Sequence, residues 1–150
     1  MQKKPLNPKD IAGSNKVPLY LWPSSATALG CMAFLSGALK YGRNNFRASG
    51  GVSAKELYGA CLRHLALWFD GESIDPESGI NHLGHALASI AILVEAMAKG
   101  NLVDDRNYPI DLRKLMDSLT ADLPAVKANV AGKDPKHYTM TEFLADDRSE

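Results

Sequence analysis

The stretch ACLRHLALWFDGESIDPESGINHLGHALASIAILVEAMAKG, residues 60–100, decides the fold. Apolar residues recur at three and four along it and just before it: Leu57, Cys61, Leu65 and Trp68 before Gly71, then Leu83, Leu87, Ile90, Val94 and Met97 before Gly100. That is the period of a helix buried on one side, and glycine stops both runs. Ser53 and Glu56 form an S-x-x-E capping box, so one helix is expected from Ser53 to about Asp70. Asp75-Pro76 reads as an N-cap followed by proline at the first helical position, so the next is expected from Pro76 to Lys99. A short polar connection makes the two an antiparallel hairpin.

Upstream, Ser24 or Ser25 caps a helix to about Lys40, with Gly42 beyond it. This helix is apolar nearly all round, with small faces at Gly30, Ala33, Ser36 and Gly37, and belongs inside a bundle. Residues 1–23 contain Pro5, Pro8, Pro18 and Pro23 and read as an extended arm whose Leu19, Leu21 and Trp22 lie on the body of the protein. Downstream, NLVDDRNYP is a loop and Asp111 to Leu119 a more polar helix. Residues 120–138 are irregular, and a short last helix starts at the Thr139-x-x-Glu142 capping box. No strand-like alternation competes, so the expected fold is all-α, a helical bundle in one domain over 1–150, with 120–150 peripheral.

Composition narrows the function. Seventeen basic residues balance seventeen acidic ones in 150, so no global positive field holds duplex nucleic acid. The most hydrophobic window, Val17 to Leu39, is broken by Pro18 and Pro23, and about 14 remaining residues are too few to span a membrane. The amino terminus lacks the apolar run of a secretory signal. Cys31 and Cys61 stand singly, without zinc or disulfide spacing, which fits a reducing cytoplasmic compartment. Three apolar helices with an arm leave surface uncovered, which points to a homo-oligomer.

Two constellations carry chemistry. Three of the four histidines, His64, His82 and His85, fall in the hairpin beside Glu72, Asp75 and Glu77. His82 and His85, three apart, share a helix face, and the hairpin turns His64 toward them, as in metal sites built inside bundles. Asp75 is also accounted for as a cap and Glu77 by the helix dipole, whereas Glu72 has no structural role in this reading. The second constellation is the loop Tyr41 to Val52: Lys40, Tyr41, Arg43, Asn44, Asn45 and Arg47 around Gly42 suit phosphate oxygens, with Tyr41 or Phe46 able to stack on a base, and Arg63 beside His64 can also face a phosphate. Asp104, Asp105 and Arg106 read as a salt-bridged turn. No P-loop, nucleophile elbow or dinucleotide fingerprint is present, which leaves metal-assisted hydrolysis as the best chemistry.

The segments GALKYGRNNFRASGGV, ACLRHLALWFDGESIDPESGINHLGHA and LVDDR together resemble the phage-borne domain described as dATP/dGTP diphosphohydrolase, over about residues 5–106. That domain is a relative by function of the MazG-like all-α nucleotide pyrophosphohydrolases. The resemblance implies a purine deoxynucleoside triphosphate (dGTP or dATP) cleaved to monophosphate and pyrophosphate, a divalent metal, a dimer or tetramer in the cytoplasm of the host, and in some phages a supply step for 2-aminoadenine DNA. MazG-like enzymes hold metal through E-E-x-x-E and E-x-x-D, where this chain has Arg63-His64 and His82-x-x-His85. The expected ligands are therefore His64, Glu72, Asp75, His82 and His85, with His64, Glu72, His82 and His85 catalytic. Magnesium, manganese or cobalt is expected before zinc. The rival readings are a phosphohydrolase releasing triphosphate or orthophosphate, and a zinc-stabilised helical interaction protein without activity.

Overall fold

A computed structural model of the chain describes residues 7–48 and 50–147. The elements are α1 (Pro8–Ser14), a 3₁₀ turn at Leu19–Leu21, α2 (Ser24–Tyr41), a second 3₁₀ turn at Asn45–Arg47, β1 (Val52–Ser53), α3 (Ala54–Phe69), α4 (His82–Lys99), β2 (Leu102–Val103), α5 (Leu112–Ala128) and α6 (Met140–Asp147). Helix dominates and the fold is all-α. The chain divides into two compact units, Met1–Asp105 and Arg106–Glu150.

In the first unit α4 is the centre, packed by α3 on one side and α2 on the other. α2 itself is not central. Its large residues Met32, Leu35 and Leu39 are exposed, and only Gly30 and Ala33 are buried. The face of α4 that packs is likewise small: Gly84, Ala86, Ala88, Ser89 and Ala96 are buried with His82, while Ile90, Val94 and Met97 of the expected seam face out. The inward face of α3 is Ala54, Cys61 and the partly buried Leu57 and His64, not Leu65 and Trp68. Small residues let helix axes come close, and that advantage here exceeds the burial of the larger side chains. At Gly84 the contact is tightest: a Cβ there would stand 2.8 Å from the Leu29 carbonyl oxygen of α2.

Other expectations need correction. The arm is not wholly extended: Pro8 opens α1, where its missing N–H is no loss, and Asn7 accepts from Lys9 N at 3.0 Å. Leu19, Leu21 and Trp22 are exposed rather than packed, and Met1 to Leu6 lie outside the described residues. α2 starts at Ser24 with Pro23 before it and no side-chain cap. α4 begins six residues later than Pro76. The intervening residues close a tight turn in which Gly79 N donates to Asp75 O and Asp75 N to Ile80 O, with Gly79 at φ 69°. Asn81 is the true cap, accepting from Leu83 N at 2.8 Å.

The start of α3 is held from far along the chain. Ser53 accepts from Glu56 N, the serine half of the expected capping box. Its hydroxyl donates to Asp105 Oδ2 at 2.6 Å, and Asp105 Oδ1 accepts from Lys55 N at 2.8 Å. These two bonds, the hydroxyl's first, hold the Asp105 carboxyl below its ordinary pKa. Parallel pairing of Val52 with Leu102 and Ser53 with Val103 fixes the register. Asn101 completes the clasp, its Nδ2 donating to the carbonyls of Phe46 and Ala48 and so shaping the loop after α2.

In the second unit α5 is capped by Asp111 and runs on through Pro124 to Ala128, longer than expected. Proline forfeits one ladder bond, but on an exposed helix water can take the freed carbonyl. α6 begins at the expected capping box, with Thr139 N donating to Glu142 Oε2 at 3.0 Å.

Replacing Gly84 by alanine should destabilise the first unit by about 1–3 kcal/mol, because the new methyl group meets fixed backbone. Gly37→Ala, with nothing within 4 Å of the new carbon, should be neutral or stabilising by up to about 1 kcal/mol. Urea melts of the two variants check this; equal stabilities would contradict the packing.

Candidate active site

His64 on α3 and His82 and His85 on α4 meet where the two helices pack. Nδ1 of His64 lies 2.8 Å from Nδ1 of His82. The rings of His64 and His85 stack with centroids 4.6 Å apart and planes at 14°. His82 is the largest fully buried side chain, 1% exposed, so each of its ring nitrogens needs a partner. Its Nε2 lies 2.8 Å from Glu72 Oε1.

These contacts fix the protons of neutral rings. An ionised carboxylate only accepts, so His82 Nε2 donates to Glu72. The other nitrogen of a neutral His82 is then bare, and His64 Nδ1 must donate to it. That leaves Nε2 of His64 as a lone pair. At His85 the same reasoning runs through Ser78, whose hydroxyl donates to Asp75 Oδ2 at 2.6 Å and therefore accepts from His85 Nε2 at 2.8 Å. Nδ1 of His85 is the second bare nitrogen. Desolvation lowers the pKa of His64, and the neighbouring His85 and His82 lower it further. Desolvation also lowers that of His85, outweighing the opposing Asp75. Both rings are thus neutral near pH 7. The Asp75 carboxyl is held below its ordinary range, first by the Ser78 hydroxyl.

His64 and His85 both line a cavity of about 790 Å³ inside the first unit. Its walls include Phe34, Leu35 and Ala38 from α2, Leu57 from α3, Ala88, Ser89 and Ile92 from α4, and the loop from Tyr41 to Phe46. The structure therefore brings four residues of the second constellation, Tyr41, Arg43, Asn44 and Asn45, to the same cavity as two of the histidines. Asn44 is left-handed (φ 58°), which turns the loop inward before the 3₁₀ turn. Phe46 packs edge-on against Phe34, with centroids 5.7 Å apart.

The remaining cations lie outside the lining. Lys40 pairs with Glu77 at 3.4 Å, and Arg47 with Glu95 at 2.7 Å. Arg63 turns back along α3 with Nη1 over Gly59. Glu72, Asp75 and His82 stand behind the histidines as hydrogen-bond partners. Among the described residues no three His, Cys, Asp or Glu side chains converge to hold one ion. The donor chemistry suits a divalent metal, but as placed the groups bond to one another, and the ring nitrogens left bare are those of His64 and His85.

Sequence reasoning missed Ser78, Phe34 and Asn101. Ser78 was legible in principle, since Asp-x-x-Ser is a local turn pattern; Asn101 acts across more than fifty residues and leaves no local signal.

Residues 6–106 match the family model described as dATP/dGTP diphosphohydrolase, N-terminal. No curated protein and no solved structure matches the chain. No helix among the described residues is long and apolar enough to cross a membrane.

With chelator present, stability should fall as pH drops through about 6.5, the ordinary imidazole value, because the unfolded chain takes up protons there before the folded His64 and His85 do. Above that window the penalty is absent. Melting temperatures from pH 7.5 to 5.5 should decline less steeply in His64→Asn than in the parent. Parallel curves would contradict the assignment.

Proposed function

Because the chain belongs to the dATP/dGTP diphosphohydrolase family, and is thus a nucleoside triphosphate diphosphohydrolase, we propose that the reaction takes place where His64 and His85 line the cavity. The observation that carries this is the pair of neutral imidazoles, each with a bare nitrogen, lining the same cavity as the Arg43–Asn45 loop. A purine deoxynucleoside triphosphate enters with its base toward the apolar side formed by Phe34, Leu35 and Ile92. Its phosphates then reach Arg43, Asn44 and Asn45. A guanidinium and two amides donate to phosphate oxygens without a covalent step.

Hydrolysis between the α and β phosphates needs a water deprotonated as it attacks. Nε2 of His64 takes that proton, and His82 and Glu72 behind it hold the ring in the tautomer that can accept. His85, fixed by Ser78 and Asp75, stacks on His64 and keeps its place. Products are the nucleoside monophosphate and pyrophosphate.

A divalent metal belongs to this reading. His85, through its bare Nδ1, and the Asp75 carboxylate beside it are the groups that would hold it, while Nε2 of His64 stays free for the attacking water. When bound, the ion supplies neutralisation of phosphate charge. Manganese and cobalt suit the imidazoles as well. The exposed Tyr58, Leu62 and Phe69 on α3 and Val94 and Met97 on α4 support self-association of the first unit.

With dGTP or dATP and Mg²⁺ or Mn²⁺, the expected products are pyrophosphate and monophosphate; tripolyphosphate or orthophosphate as first product would overturn the proposal. His64→Asn keeps a donor toward His82 and removes the bare nitrogen, so it should lower kcat about 10²- to 10⁴-fold with helix content unchanged. Arg43→Ala should mainly raise KM. Full turnover in His64→Asn would place the chemistry elsewhere.

A further inference from the structure

The second unit lies beyond the family match, and α5 in it shows a pattern that the diphosphohydrolase reading does not use. Leu112, Met116, Leu119, Leu123, Val126 and Val130 are spaced 4, 3, 4, 3, 4, the a and d positions of successive heptads. All but Val130, just past the helix end, lie within α5. Each is 47–58% exposed, so nothing in its own unit covers the seam. An isolated helix of this length is marginal in water unless its apolar face is buried. Pro124 falls at an outward position next to Leu123, where the lost N–H does not interrupt the seam.

The flanking charges say what fits. Asp122 takes a g position and Lys127 the e position of the following heptad. In a parallel, in-register pair, residue g of one helix faces the following e of the other, so Asp122 meets Lys127 twice by symmetry. An antiparallel pair keeping the same apolar layers would set Asp122 against Asp122 and Arg113 against Lys127, like charge against like. Within one helix neither Asp122 nor Lys127 has a charged residue three or four positions away, so this complementarity has no intrahelical use.

We propose that α5 pairs with α5 of a second copy of this chain as a parallel two-stranded coiled coil, Leu119 and Leu123 at its centre and Asp122 of each chain against Lys127 of the other. The seam is short, two and a half heptads, so the pairing is reversible and responds to concentration. Any self-association of the first unit would reinforce it by raising the local concentration of α5.

Sedimentation equilibrium of the full chain tests this. The parent should associate reversibly. Asp122→Lys and Lys127→Asp should each raise the dissociation constant roughly tenfold, as two attractive pairs become repulsive, and the double exchange should restore it to within about twofold. None of these changes touches the seam, so helix content by circular dichroism should stay level at concentrations where the pair forms. Leu119→Asp should abolish the association through α5. A monomeric parent, or single reversals that leave the constant unchanged, would overturn the proposal. Loss of association in Leu119→Asp with silent reversals would also overturn it, by showing that another surface covers the seam. Silent reversals in a chain that still associates would leave the self-association of the first unit standing.

Discussion

The hydrogen bond between Nδ1 of His64 and Nδ1 of His82 ties α3 to α4 at the most deeply buried side chain of the site. A fully buried imidazole must satisfy both nitrogens, and Glu72 and His64 are the hydrogen-bond partners of the His82 ring among the described residues. The chain of three groups has one arrangement of protons for neutral rings, and that arrangement leaves Nε2 bare on His64, a residue that lines the cavity. The arrangement depends on the position of Glu72, which the turn from Asp70 to Asn81 sets, with His82 N donating to Ser73 O at 3.1 Å as α4 begins.

Close helix packing makes the cavity possible. Gly84 admits the backbone of α2 against α4, Gly30 meets Leu87 at ordinary contact distance, and Ala33 with Ile80 and Ala88 forms the small core beside them. α2 ends at Tyr41, and Gly42 and the left-handed Asn44 then turn the chain. Asn101 holds the carbonyls of Phe46 and Ala48 from the other side. The loop with Arg43 is therefore anchored at both ends.

Much of this was legible in the chain itself. Apolar period and glycine stops placed α2, α3 and the end of α4, the Ser53 cap placed the start of α3, and the clustering of His64, His82, His85, Glu72 and Asp75 in sequence became clustering in space. Periodicity could not reveal which face of each helix packs, because Leu65, Val94 and Met97 look like core residues while Gly84 and Ala88, which pack closest, look like gaps. Asp75-Pro76 has the form of a helix start, but the Ser78 hydroxyl and Gly79 turned it into a closed loop. Pro124 had the form of a stop, yet the apolar spacing carried α5 past it. Asp105 and Asn101 act over fifty residues, a range at which sequence pattern carries no information. The same holds for Lys40 and Arg47, whose carboxylate partners Glu77 and Glu95 come from another element or beyond.

The most direct measurement is a two-bond proton–nitrogen correlation spectrum of the imidazoles in nitrogen-15 histidine-labelled protein at neutral pH. The account predicts a protonated Nδ1 with bare Nε2 for His64, the reverse for His82 and His85, and, on adding dGTP with magnesium, changes at these three rings while His137 stays still. A spectrum in which His64 carries its proton on Nε2, or in which nucleotide leaves all three rings unmoved, would contradict it.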